Sequence, residues 1–252
     1  MAMKIPVLFT FDLDGESSFT RKREDYVQIT RGLYGVKTGL KRVLNILSKY
    51  GIKSTFFVAA YVAEKHFDEV KEIANSGHEI ALHGYLHEDF SQLMPSDANK
   101  VLEKSIAILS KIQNPIEGFR APYWRIHKWL LKLLVEKKIV YDSSLMDSDE
   151  AYIVDIEGKP LVEIPISYQL DDWVLFEDHQ YPPDLVLRTW IYDLEWSLEE
   201  NVSFVLTMHP QVIGRRSRSR VLEQLLKLAK KMEKAAIITC REYAEQLLKI
   251  RK

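Results

Sequence analysis

A single cysteine, Cys240, stands among 252 residues. That excludes an intramolecular disulfide and any multi-cysteine metal site. Its setting, after Ala235-Ala236-Ile237-Ile238-Thr239, is that of a strand end, so the thiol reads as a small buried side chain. Charge of one sign is equally lacking. Lys and Arg number 35 against 36 Asp and Glu, so global charge gives no argument for nucleic acid or an anionic membrane surface as partner. No apolar run approaches transmembrane length. The N-terminal segment enters the run 7–11 directly, too short for a signal h-region and without a small-residue cleavage site after it. The expectation is a cytoplasmic protein without membrane contact. Repeats, low-complexity tracts and linkers are also missing. Residues 1–252 are therefore expected to form one domain, large enough for a single α/β barrel.

What is present is an alternation of short apolar runs with helical periodicity. Runs at 7–11, 54–58, 78–82, 116–119, 139–141, 161–166, 202–208 and 236–239 read as buried strands. Between them, Leu40, Val43, Leu44, Leu47 and Tyr50 keep 3.6-residue spacing, with Gly51 placed to end the helix. Further helices are expected at 67–75, 95–113 (capped by Ser96 or Asp97), 128–136, 182–196, 219–234 and 241–250. The charged run 21–25 and the stretch 31–35 read as irregular connections, as do residues 145–160. Seven or eight βα units predict an α/β barrel, closed or nearly so.

Polar residues follow successive strands. Asp12, Asp14 and Glu16 alternate after the first, and would share one face if the strand continued. His83 and His87 follow the third, four residues apart, so that a helical turn or a tight turn aims both imidazoles at one point. Two histidines and a carboxylate make an open site for zinc or iron. Arg120, Asp142, Asp171, Asp172 and His209 follow later strands. Parallel α/β folds gather such strand ends at one mouth. Each residue alone has an ordinary alternative, a solvated turn or a satisfied histidine; the convergence is the specific signal.

Phe11-Asp12-Leu13-Asp14-Gly15-Glu16, the pair His83 and His87, Arg120-Ala121-Pro122-Tyr123 and Leu206-Thr207-Met208-His209-Pro210 resemble, in order, the motifs of the polysaccharide deacetylases, the NodB-homology or carbohydrate esterase 4 family. The resemblance runs from residue 7 to about 240. It implies a distorted (β/α)7 barrel. It also implies a divalent metal, usually zinc, on Asp14, His83 and His87, with Asp12 as the base that activates water. Arg120 would orient that base, and His209 would protonate the departing amine. Metal chemistry suits this set, because a cation lowers the pKa of water and polarises a carbonyl. Tyr123, Trp124 and Trp173 are candidates for the floor of a sugar pocket, with rim packing as the alternative. Asp171 and Asp172 join them as candidate substrate contacts.

Leu13 separates two aspartates that are adjacent in most of the family. That spacing, with Tyr141-Asp142-Ser143-Ser144, Leu170-Asp171-Asp172-Trp173 and the run from His209 to Arg218, resembles an intracellular subgroup. The subgroup includes a peptidoglycan-deacetylase-like enzyme and a cofactor-independent allantoinase. The expected activity is hydrolysis of a non-peptide C–N bond, N-deacetylation of an acetylated sugar or a related small amide. The expected partner is a small-molecule or oligosaccharide amide, with a homo-oligomer suggested by the subgroup. The alternatives are a cofactor-free cyclic-amide hydrolase and a carbohydrate-binding barrel without catalysis. Elsewhere, His78 is expected to cap or pack beside Gly77, Glu88 and Asp89 to be solvated, and His66, His127 and His179 to lie at the surface. The arginine-rich run 214–220 reads as a solvated loop before a helix that Ser217 or Ser219 caps. An anion clamp or a subunit contact over the barrel mouth are the functional options, and nucleic acid is a third that one short basic run on a neutral chain supports poorly.

Overall fold

A computed structural model describes residues 4–20 and 25–250. Its strands are β1 (Ile5–Leu13), β2 (Thr55–Val58), β3 (Glu79–Leu82), β4 (Gly118–Phe119), β5 (Tyr141–Asp142), β6 (Tyr152–Ile156), β7 (Lys159–Glu163), β8 (Phe204–Met208) and β9 (Ala235–Ile237). They form one sheet in the order β6-β7-β5-β4-β3-β2-β1-β8, with β9 paired to β1. Every ladder is parallel except that of β6 with β7. The parallel succession β7-β5-β4-β3-β2-β1-β8 curls into the expected distorted (β/α)7 barrel. Its seam falls between β7 and β8, where the chain around Asp171 makes a single parallel bridge to Thr207.

Strands buried on both faces read as unbroken apolar runs, and the side-chain alternation divides them into two cores. Phe9 and Phe11 of β1, Phe56 and Val58 of β2, and Ile80 and Leu82 of β3 face the surrounding helices. Leu8, Phe57, Ala81, Tyr141 and Val162 fill the barrel interior. Each large apolar side chain so buried contributes about 1.5–3 kcal/mol. The interior is plugged at the N-terminal end of the strands by Cys240 and Tyr243 of the last helix, Cys240–Ile250. Glu79, fully enclosed, accepts hydrogen bonds from Thr55 Oγ1, Tyr141 OH and the Arg241 amide. It thereby satisfies a helix N-terminus inside the barrel. With that end filled, the polar residues at the C-terminal ends of the strands line an open cavity over the other end.

Several expectations change. The residues 31–35 belong to a helix, Tyr26–Tyr34, that passes through a wider turn at Gly35–Gly39 into Leu40–Tyr50. Residues 145–160 contain β6, joined to β7 by a tight turn at Glu157 and Gly158. The helix at Pro95 has Pro95 in its first turn after Met94, not a Ser96 or Asp97 cap. The helix expected from 219 starts at Arg216, so neither Ser217 nor Ser219 caps it. Of the charged run, 21–24 lie outside the described residues, while Asp25 caps the helix that follows through the Gln28 amide. Cys240 is buried as expected. Among the described residues no helix is long and apolar enough to cross a membrane.

Candidate active and metal site

Asp12 shares the interior-facing parity of Leu8 and Thr10 on β1, so it points into the barrel at the strand's C-terminal end. Gly15, at φ +54°, turns the chain there. A side chain at that position would be strained by the backbone and would meet Val62 at 2.8 Å. The turn keeps Asp14 beside Asp12 but swings Glu16 away, where it accepts a 2.9 Å hydrogen bond from His66 Nε2. The three carboxylates therefore do not act as one cluster, and His66 is half-buried and paired. His83 follows β3, and a tight turn rather than a helix returns His87 to it, with His87 at φ +55°. The Glu88 carboxylate holds that turn by accepting from the Tyr85 and Leu86 amides, both at 2.9 Å. Glu88 is thus buried in a structural task, against the expectation of solvation.

The donors converge. Asp14 Oδ1 lies 3.5 Å from His83 Nε2 and 3.6 Å from His87 Nε2. A tetrahedral zinc with bonds of about 2.1 Å sets its ligands about 3.4 Å apart. His83 Nδ1–H donates to the Arg120 carbonyl at 2.8 Å, which leaves Nε2 with its lone pair toward Asp14. Asp14 Oδ1 is buried and has no hydrogen-bond partner. Burial pushes the Asp14 carboxyl up, and neighbouring Asp12 adds to that; a cation beside it would reverse the effect. Donor type, spacing and the orphaned oxygen all fit a divalent ion of the zinc kind.

Asp12 stands beside this triad. Arg120, wholly buried, donates from Nη1 to Asp12 Oδ1 at 2.8 Å and to Thr10 Oγ1 at 2.9 Å. Burial alone would raise the Asp12 carboxyl. The Arg120 charge leads the groups that more than offset this and hold it below its usual range. Oδ2 remains toward the site, 3.8 Å from His83 Nε2. His209 Nδ1–H donates to Asp172 Oδ1 at 2.6 Å, and its backbone amide to Asp172 Oδ2 at 2.9 Å. Burial opposes the imidazolium, but Asp172 and its neighbours hold it well above the usual histidine range. His209 Nε2 is left 4.0 Å from Asp14 Oδ2.

A cavity of about 470 Å³ opens over these groups, lined among others by Asp12, Asp14, His83, His87, Tyr123, Trp124, Asp171, Trp173 and His209. Tyr123 and Trp124 are held there at positive φ, +58° and +54°, a backbone strain of the sort that clusters at functional sites. Tyr123 stands edge-on to His87 at 4.5 Å, and Trp173 to His209 at 5.8 Å. The aromatic candidates thus wall the cavity. Asp172 does not line it. Both its oxygens serve His209, which corrects its reading as a substrate contact. Asp171 lines the cavity, held by Val174 N–H on Oδ1, and burial pushes its carboxyl up to about 7. Asp171, Asp172 and His209 also lie close enough to suggest a second metal site, but the commitment of both Asp172 oxygens leaves no donor set there.

A family model described as polysaccharide deacetylase matches residues 4–141. The chain belongs to that family. It is a hydrolase of carbon–nitrogen bonds other than peptide bonds. A peptidoglycan deacetylase of Helicobacter pylori is 26% identical over 99% of this chain and 98% of its own length. A crystal structure from Mycobacterium smegmatis, assigned to the polysaccharide deacetylases, superposes with a TM-score of 0.93 at 31% identity, over 100% of this chain and 92% of that one. Puue allantoinase has a TM-score of 0.87 at 20% identity, over 96% of this chain and 89% of that one. That likeness shows the shared fold.

Other residues of this family member matter at the site although their sequence signal is slight. Gln211 Nε2–H donates to Asp14 Oδ2 at 2.9 Å. It fixes the carboxylate so that Oδ1 faces the histidines. Its one clue in the sequence is its place two residues after His209. Gln211→Leu is expected to weaken zinc affinity by about 10–100-fold, read by competition with a chromogenic chelator; unchanged affinity would show that the tether is idle. Arg31 lies over the Trp173 ring at 4.5 Å and pairs with Glu177, which also holds Arg218. Part of the basic run is therefore spent on supporting the cavity wall. His78 accepts the Ser54 amide at 3.2 Å inside the core, and burial lowers it to about 4. Asp89 half-emerges, taking Ser91 N–H and pairing with Arg125. His127 and His179 are exposed, as expected.

Proposed function

We propose that the protein removes the acetyl group from an N-acetylated sugar or a related small amide, with zinc held by Asp14, His83 and His87. The observation that carries this reading is the buried Asp14 Oδ1, without a hydrogen-bond partner and flanked by two imidazole nitrogens at 3.5 and 3.6 Å. It is set between one carboxylate held ionised and one imidazole held protonated. Bound there, zinc would polarise the acetamide carbonyl and make water more acidic. Asp12, with Oδ1 fixed by Arg120, takes the water proton on Oδ2 as the oxygen attacks the carbonyl carbon. His209 Nε2–H gives a proton to the nitrogen as the C–N bond breaks. The immediate products are acetic acid and a free amine. The acid gives its remaining hydroxyl proton to solvent to leave as acetate, and the proton gained by Asp12 balances the one lost by His209. Tyr123, Trp124 and Trp173 offer apolar faces for a sugar ring, and Asp171 a polar contact at the cavity wall.

The test is acetate release from N-acetylglucosamine oligomers and from small N-acetyl amides. Protein stripped with dipicolinate and reloaded with zinc is assayed beside stripped protein. Release restored by zinc supports the reading. Hydrolysis of allantoin by the stripped protein, with no acetate from any N-acetyl substrate, would replace it with cofactor-free cyclic-amide hydrolysis.

A further inference from the structure

Arg120 is a long side chain with no exposed surface and five N–H donors to place. Nη1 is held from β1, by the candidate base Asp12 and by Thr10 Oγ1; the anchors of Nε and Nη2 come from the turn after β5. Nε donates to the Ser143 carbonyl at 3.0 Å and Nη2 to Ser143 Oγ at 2.9 Å. Phe57 lies beneath the guanidinium at 4.0 Å. The direction of the guanidinium therefore depends on where Ser143 sits, and Ser143 follows directly on the two-residue strand β5.

The turn is held by two buried carboxyl groups. Asp142 of β5 and Glu163 of β7 are register partners on adjacent parallel strands. Tyr141 and Val162 point into the barrel, so alternation puts Asp142 and Glu163 on the opposite face, away from the cavity. Glu163 Oε1 accepts the Ser144 amide at 3.1 Å and the Leu145 amide at 2.9 Å. Asp142 Oδ1 accepts Ser144 Oγ–H at 2.7 Å, and Ser144 Oγ in turn accepts the Ala121 amide at 2.9 Å. The end of β5 is thereby stitched to the residue after Arg120.

One oxygen is left on each acid. Asp142 Oδ2 and Glu163 Oε2 are buried, and neither has any other partner. The two carboxyl groups lie within hydrogen-bond reach of one another. Two ionised carboxylates so placed repel, whereas one proton between them satisfies both orphaned oxygens. Burial, and the Asp142 charge beside it, push Glu163 up to about 10, while burial raises Asp142 to about 6. At neutral pH the proton resides on Glu163, which donates to Asp142. The resulting single negative charge lies behind Arg120, and Asp12 lies in front of it.

We infer that Asp142 and Glu163 form a proton-sharing acid pair that positions Arg120 through the Ser143–Ser144 turn, and so aims the Asp12 carboxylate without touching substrate. The inference rests on the deacetylase reading only for its kinetic arm; the placement of Arg120 is read separately. Gln at 163 retains both functions of a protonated Glu, an N–H toward Asp142 and an oxygen toward the two amides. Ala retains neither.

The experiment compares Glu163→Gln, Glu163→Ala, Ser143→Ala and Ser143→Thr in the zinc-loaded protein. Two quantities are read: acetate release, separated into kcat and KM, and hydrogen exchange of the Arg120 Nε–H by nitrogen-15 NMR. Glu163→Gln and Ser143→Thr are expected to keep kcat within about twofold and the slow exchange of wild type. Glu163→Ala is expected to lose about 10–100-fold in kcat with KM nearly unchanged, and to exchange fast. Ser143→Ala, which removes one hydrogen bond and leaves the acid pair intact, is expected to lose about three- to tenfold. Should Glu163→Ala fail to fold, the Ser143 pair and Glu163→Gln decide alone. Wild-type kcat and exchange in Ser143→Ala would overturn the inference. So would a Glu163→Gln variant with fast exchange, or a loss confined to KM. If no variant or wild type releases acetate while Arg120 exchange still follows the predicted order, the positioning stands and the deacetylase reading fails.

Discussion

Asp12→Asn is expected to lower kcat by about three orders of magnitude while the protein keeps its zinc. The substitution changes one oxygen to an amide nitrogen in a site where Arg120 already occupies Oδ1. Asn can keep that contact through its own carbonyl, so Arg120 and the fold are left in place. What disappears is the acceptor at Oδ2, the only atom of residue 12 directed at the site. General-base assistance contributes about 10²–10⁴-fold. Asp12 stands outside the Asp14, His83 and His87 set, so its neutralisation removes no ligand. Steady-state kinetics beside zinc content by atomic absorption decide the point. Near-wild-type kcat would show that another group takes the proton, and zinc loss would show that Asp12 is a ligand instead.

Asp172→Asn is the second substitution with a large expected effect, about 100-fold in kcat. It also carries a signature in pH. In the wild type the Asp172 charge favours the protonated imidazole of His209, and the acid form is the one that gives a proton to the amine. Removing that charge lowers the His209 pKa. The alkaline limb of the kcat profile must therefore move toward lower pH, because His209 loses its proton earlier as pH rises. Asn still accepts or donates at the same place, so the ring keeps a partner and the loss is one of charge and tautomer rather than of position. An unmoved alkaline limb would remove His209 from the role of acid. A limb moved upward would contradict the sign of the electrostatics, in which Asp172 stabilises the charged ring.

The strands and their polar ends were legible because a parallel sheet buried on both faces leaves continuous apolar runs, and the runs of β1, β3, β4 and β8 stop at Asp12 and Asp14, His83, Arg120 and His209. Asp12, Asp14, His83, His87, Arg120 and His209 do converge, as the order of those strand ends implied. The helix through residues 31–35 was not legible, because Gly32, Gly35 and Gly39 look like chain breakers. In the fold they are close-approach positions. A Cβ on Gly32 would lie 2.2 Å from the Gly15 carbonyl, and one on Gly39 would lie 2.0 Å from that of Pro210. The helix is pressed against the two turns that carry Asp14 and His209, and only glycine admits that contact.

β6 was missed for another reason. Its residues are half-exposed and interrupted by Asp155, so the run lacks the burial that marked the others; Glu157 and Gly158 were the available turn signal. Glu88 and Asp172 were misplaced because a carboxylate in sequence looks the same whether it meets water, a metal, a backbone amide or an imidazole. The pairing of Asp142 with Glu163 depends on two strands 21 residues apart being neighbours in register, which no local pattern carries.

The most direct measurement of the central claim is zinc content per chain after stripping and re-equilibration, in wild type and in Asp14→Ala. The account predicts about one zinc per wild-type chain and loss of stoichiometric zinc in Asp14→Ala, because the variant removes the one carboxylate between His83 and His87. Wild-type protein that takes up no stoichiometric metal, or an Asp14→Ala variant that binds it as tightly as wild type, would contradict the assignment of this site.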